Sequence, residues 1–217
     1  MQRFTLLHDG SNQGWQAAYL AFHLSARLGA PLLVLLVEPA IDSEMIAQRA
    51  AQVEIGGRAA GVVIKTRLVT DFSVDIVAEN AALSDGLIVP RQLIRDEELA
   101  VRFLGALSCP LWVVSNESEM GNLAVLVRNP STDKGLIDYS TSLSHRLQES
   151  LVGLARQDAV SSMRQFYTSL SWYQLPDFSL TLVASILDEL GINIVFLPVS
   201  GVALAIELAV NCVVHTS

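Results

Sequence analysis

Short apolar runs without helical period alternate along this chain with longer segments in which apolar residues recur every three or four positions. Phe4–Leu7 and Leu32–Val37 are runs of the first kind. Between them, Ala17, Leu20, Ala21, Leu24 and Leu28 share one helical face, and Gly29-Ala30-Pro31 stops the helix. The polar turn Asp9-Gly10-Ser11 separates the first run from that helix. A strand–helix–strand of this size is a βαβ unit, which needs a parallel sheet and covering helices to bury its faces. Ile41-Asp42-Ser43 then predicts the start of a helix that carries Met45, Ile46, Arg49, Ala50 and Val53 on one side and ends near Gly56-Gly57 or shortly after. Val62–Val69 alternates and is β-branched, as a strand would be. Asp71 predicts a capped helix to about Leu83, because its carboxylate can accept from free first-turn amides. A buried strand Leu87-Ile88-Val89 ending at Pro90, a helix over Glu97–Leu107 and a last strand Leu111–Val114 complete the order. That order, β-α-β-α-β-α-β-α-β, predicts an open parallel sheet with helices on both faces.

The pattern then recurs. Residues 123–159 lie over 4–40 without a gap and share eight identities, among them Leu24-Ser25 and Arg27-Leu28 against Leu143-Ser144 and Arg146-Leu147. Composition alone would leave about two or three. Asp177-Phe178-Ser179 repeats Asp71-Phe72-Ser73, Ile194–Pro198 answers Leu87–Pro90, and Cys212-Val213-Val214 answers Cys109 through Val114. The polar stretch Asn116–Gly121 is the expected boundary, which places one domain at 1–116 and a second at 120–217. The second copy is shorter between its βαβ unit and its Asp-Phe-Ser. Its second helix is therefore expected to be lost or reduced to a turn around Ser162–Phe166, with Tyr167–Gln174 as the third strand.

Composition narrows the class. The chain has 217 residues, 51% hydrophobic and 17% charged, so it can bury a real core. A net charge of −8 with no basic run or basic helix face excludes nucleic acid and anionic membranes as natural partners. Cys109 and Cys212 read as two buried reduced thiols of a cytoplasmic protein. The polar start Met1-Gln2-Arg3 has no secretory core behind it. The apolar stretch 192–214 is broken by Pro198, Ser200 and Gly201 and carries Glu207, which opposes a membrane span.

The strand, the Asp-Gly-Ser turn, the helix, the Gly29-Ala30 stop, the capped helix at 71 and Cys109-Pro110 before a final Val-Val together resemble a universal stress protein domain. The resemblance covers about 1–116 well and 120–217 through the internal repeat. It implies two tandem open parallel five-stranded α/β sheets of strand order 3-2-1-4-5, the second trimmed. It also implies that they pair through their last strands, 111–115 with 212–216, as an internal pseudo-dimer. In open sheets a ligand binds where strand order reverses. In the first half that crevice would be lined by Asp9, Gly10, Ser11, Pro90 and Arg91. In ATP-binding members of the family an Asp at this place and a Val after the second strand, here Val37, hold adenosine, and a glycine-rich loop cradles the phosphates.

This chain departs from that loop. Residues 90–108 begin Pro-Arg-Gln-Leu-Ile-Arg without a glycine, and Glu97-Glu98 stand where Gly-Ser would be. Arg91 and Arg95 offset the charge, but the backbone cradle is missing. In the second copy Arg128 replaces the first-strand Asp. Asn129, Ser131 and Lys134 follow, and Ser200-Gly201 opens a helix; that mouth could hold a phosphate or sulfate, but the preferred reading is a plain cap by Ser200. His8 is read as structural, and His23, His145 and His215 are too scattered to ligate a metal. Trp112 and the group Phe166, Tyr167, Trp172, Tyr173 and Phe178 read as core or interface.

The expectation is a non-catalytic, stress-associated or regulatory interaction protein with a degenerate nucleotide site and no cofactor. The rival expectation is an ATP-, ADP- or anion-binding protein, or weak ATPase, with a rebuilt site. An enzyme of the wider adenine-nucleotide fold group is a third reading, because fold does not decide function. Homo-oligomers of the tandem chain are compatible with each.

Overall fold

The computed structural model describes residues 3–37, 43–70, 72–94, 96–115 and 121–215, without the side chain at 43. Its strands are β1 (Phe4–His8), β2 (Leu32–Val37), β3 (Ile64–Val69), β4 (Gly86–Pro90), β5 (Leu111–Val114), β6 (Leu123–Val127), β7 (Leu151–Arg156), β8 (Ser171–Leu175), β9 (Ile194–Pro198) and β10 (Asn211–His215). The helices are α1 (Asn12–Leu28), α2 (Ser43–Ala59), α3 (Val74–Ala81), α4 (Glu97–Ala106), α5 (Lys134–Leu147), α6 (Gln157–Phe166), α7 (Leu180–Glu189) and α8 (Val202–Glu207). Two 3-10 turns, Arg91–Ile94 and Val199–Gly201, follow β4 and β9.

All ten strands form one sheet in the order β3-β2-β1-β4-β5-β10-β9-β6-β7-β8. Each half has the order 3-2-1-4-5 and is parallel throughout, and β5 meets β10 antiparallel, with Val213 opposite Trp112. The two expected sheets are therefore one continuous sheet. The apolar runs lack a period because both faces of the central strands are covered. In β1, Phe4 and Leu6 face the layer that holds α1, α2, α5 and α6, whereas Leu7 faces α3, α4, α7 and α8. The outermost strand β3 is mostly exposed, and its Lys65 and Arg67 discourage further pairing at that edge.

Aromatic rings fill the seam between halves. Trp112 packs edge-on against Phe4 at 6.3 Å and Phe196 at 6.2 Å, and Tyr139 lies 6.1 Å from Phe196. Gly86 makes room for the indole, since a Cβ there would stand 2.8 Å from Trp112 Nε1.

Several elements differ from the sequence expectation. The second helix of the second half is not lost or reduced to a turn around Ser162–Phe166: α6 is a full ten-residue helix, starting directly from β7. Its early start at Gln157 recovers the missing length. The third strand is Ser171–Leu175, shorter than 167–174 and later, because Tyr167 closes α6 and leads into a turn. In the first half β3 begins at Ile64, after a turn at Gly61. Helix α3 is capped by Ser73, whose hydroxyl accepts from Ile76 N; Asp71 lies outside the described residues, as do Ile41 and Asp42, Arg95, and 116–120 of the expected boundary. The suspect stretch 192–214 is β9, the turn, α8 and β10. Among the described residues no helix is long and apolar enough to cross a membrane.

Candidate functional site

Strand order reverses between β1 and β4 in the first half and between β6 and β9 in the second, so each half has a crevice beyond its carboxyl strand ends. In the first, β1 delivers Asp9, Gly10 and Ser11 to the mouth, while Val37 and Pro90 end the flanking strands as buried residues. Gly10 has φ 76°, a left-handed backbone that glycine adopts without penalty. Ser11 caps α1: its Oγ accepts from Gly14 N at 2.9 Å and donates to Asp9 Oδ1 at 2.6 Å. Asp9 Oδ1 also accepts from Ser11 N at 3.1 Å.

Three further side chains reach this mouth. The Gln92 amide donates to both Asp9 Oδ2 and Ser11 Oγ. Its backbone N–H donates to Gln13 Oε1 at 3.0 Å. With that, the single proton and both lone pairs of the Ser11 hydroxyl are committed. Arg49, from α2, lies across Gly10: its guanidinium carbon is 2.2 Å from where a Cβ on Gly10 would stand, and Nη1 reaches Asp9 O at 3.5 Å. Arg91 turns away from the crevice. Its Nη1 donates to Leu208 O at 2.8 Å and Ile206 O at 3.3 Å, capping the end of α8 in the other half.

His8, one residue before the mouth, is 1% exposed. Its Nδ1 accepts from Gly10 N at 2.8 Å, which leaves the proton on Nε2, where no partner stands. Its ring meets Trp15 edge-on at 4.6 Å. Burial is the main cause that lowers its pKa to about 4, with the Arg49 charge adding to it against the pull of Asp9. A neutral imidazole with its acceptor nitrogen engaged serves the turn.

In the second half Asp133 decides the chemistry. It is 6% exposed, and its Oδ2 accepts from the backbone N–H of Arg128 at 2.8 Å and of Asn129 at 2.9 Å. Its Oδ1 accepts from Thr132 Oγ1 at 3.1 Å. Both amides are thus engaged by the chain's own carboxylate. Asn129 Oδ1 accepts from Ser131 N at 3.1 Å. The Arg128 guanidinium donates to Ser200 O at 2.8 Å and lies 5.5 Å from the centre of the Phe178 ring. Ser200 and Gly201 belong to the 3-10 turn, and α8 has no side-chain cap, so Ser200 does not cap it.

The structure thus gathers Asp9, Gly10, Ser11, Val37 and Pro90 at one mouth and Arg128, Asn129, Ser131, Ser200 and Gly201 around another, and removes Arg91 from the first. Sequence reasoning missed Gln92, Arg49, Gln13 and Asp133. Only Asp133 carried a local signal, a carboxylate just ahead of a helix. Among the described residues no group of three or more His, Cys, Asp or Glu side chains is placed to hold a metal. Burial raises both thiols, Cys109 to about 11.

No sequence profile of a known protein family matches the chain, and no curated protein sequence matches it. Solved structures do. A universal stress protein from Archaeoglobus fulgidus superposes with a TM-score of 0.72 at 10% identity, over 98% of this chain and 95% of that one. Two others are a universal stress protein in complex with cAMP, with a TM-score of 0.44 and 18% identity over 54% of this chain and 98% of that one, and a universal stress protein family member from Burkholderia pseudomallei, with a TM-score of 0.39 and 21% identity over 52% and 95%. The Archaeoglobus match shows that the chain has the universal stress protein fold across its whole length.

Proposed function

We propose that this chain is a universal-stress-protein-like, non-catalytic interaction protein of a stress-associated or regulatory kind, in which two tandem copies form an internal pair and the nucleotide crevices are sealed from within. The observation that carries this reading is the Gln92 amide, which satisfies both Asp9 and Ser11. A ribose hydroxyl entering the mouth would have to break those bonds and gain no more than it replaces. Arg49 across Gly10 and Asp133 on the amides of Arg128 and Asn129 support the same reading. The engaged, neutral His8 supports the absence of catalysis.

Freshly purified protein should show no excess absorbance near 260 nm. Its melting point should move by less than about 1 °C with millimolar ATP, ADP, AMP or inorganic phosphate. Ligand at a hundredfold its dissociation constant stabilises by about 2.7 kcal/mol, which is about 5–10 °C for a chain of this size. A shift of that order with a nucleotide would overturn the proposal in favour of an ATP- or ADP-binding protein. The same shift with phosphate alone would favour an anion site.

A further inference from the structure

The two halves differ where α6 replaces α2. Helix α2 has 17 residues and sends Arg49 across the mouth, whereas α6 has 10. In the gapless alignment of the halves, Trp15 corresponds to Lys134, Tyr19 to Asp138 and Ser11 to Pro130. The first half fills the space beneath its mouth with the Trp15 indole against His8. The second half places an exposed lysine at that position. What remains is a cleft of about 450 Å³ between α5 and the end of α6, lined by Pro130, Lys134, Asp138, Met163, Phe166 and Tyr167. This is within the range of small-molecule sites.

The lining is divided by chemistry. Met163 is buried at 2% exposure, and beside it Phe166 stands 75% exposed, an aromatic ring that packing within the chain does not use. Opposite, Lys134 and Asp138 form an ion pair one helical turn apart. A ligand carrying one charge would meet, beside the member of that pair that attracts it, the like charge of the other. A ligand carrying both charges gives each a new partner, its carboxylate to Lys134 and its ammonium to Asp138. Its apolar part then lies on Met163 and Phe166. We propose that this cleft binds a small aromatic zwitterion of the aromatic amino acid class. The inference is independent of the sealed crevices, since it uses none of the residues that seal them.

The test is titration of the full chain with L-phenylalanine, L-tyrosine and L-tryptophan, followed by amide chemical shifts and calorimetry. Phenethylamine and 3-phenylpropionate serve as single-charge controls. A ligand of this size should bind with a dissociation constant on the order of 1 mM, with shifts confined to 130–138 and 162–167. Phe166→Ala, Lys134→Gln and Asp138→Asn change exposed side chains; each should weaken binding at least about fivefold and leave the melting point unchanged. Absence of shifts at about 10 mM of all three amino acids overturns the proposal. So does equal binding of the single-charge controls, or affinity retained in Phe166→Ala.

Discussion

At the scale of single residues, His8 shows how burial decides a role that residue type leaves open. Its ordinary pKa of 6.5 makes it an acid–base candidate, and inside the fold the value falls to about 4. The unfolded chain therefore takes up a proton as pH drops below 6.5 while the folded chain does not. His8 costs nothing above that pH, and stability falls progressively toward pH 4, by up to about 3 kcal/mol. His8→Asn retains an acceptor near Nδ1 and removes the titration. Urea midpoints measured from about pH 7 down to about pH 4.5 should fall less steeply in that variant than in the native chain, and parallel curves would contradict this account. Asp9, Gly10 and Ser11 were legible as a turn at a strand end because their types and order carry turn and cap chemistry. Gln92 and Arg49 were not legible, since each meets Asp9 across 83 or 40 residues of sequence. A long polar side chain announces nothing about such a partner.

At the scale of elements, the 3-10 turn Arg91–Ile94 replaces the glycine loop expected of a nucleotide site. Its first residue caps α8 of the other half, and its second donates to Asp9 and Ser11 at the first mouth. The short turn binds these contacts together, so they should be energetically coupled. Arg91→Ala and Gln92→Ala should each cost about 1–3 kcal/mol, and the double variant should cost less than their sum by about 0.5 kcal/mol or more. Strict additivity in chemical denaturation would show that the turn transmits nothing. Helix α6 teaches a related point. Counting residues between recognisable landmarks implied its loss, yet β7 runs into it without a loop and the helix survives. Its Ala159, Val160 and Met163 are what the sheet face requires. A buried face must be covered, and that demand outweighs loop length.

At the scale of the molecule, β5 and β10 join the halves into one sheet, with Trp112, Phe196 and Tyr139 beside the junction. Such a core has no natural dividing plane, so the chain should unfold as a unit. Calorimetry should give one transition whose calorimetric and van't Hoff enthalpies agree. Trp112→Ala should lower stability by about 3–5 kcal/mol, with both halves still melting together. Two resolved transitions in the native chain would refute this. The ion pair of Arg27 with Glu149 also crosses between halves, but it is partly exposed and adds little.

The order of strands and helices in the first half, the recurrence of its apolar runs in the second and the Asp-Gly-Ser turn were legible in the sequence itself. Apolar periodicity, caps and stops are local properties, and each is written within a few neighbouring residues. The partners of the polar groups at the two crevices were decided only by the tertiary structure. Asp9 looks open to a ligand until Gln92 arrives from the far end of β4, and the amides after β6 look ready for an anion until Asp133 folds back onto them. The cleft beside Phe166 likewise exists only where α5 and the end of α6 come together, with Lys134 at the position that the gapless alignment gives to Trp15. Hydrogen-bond satisfaction and empty volume belong to the assembled fold, because they depend on which distant side chains reach the same point.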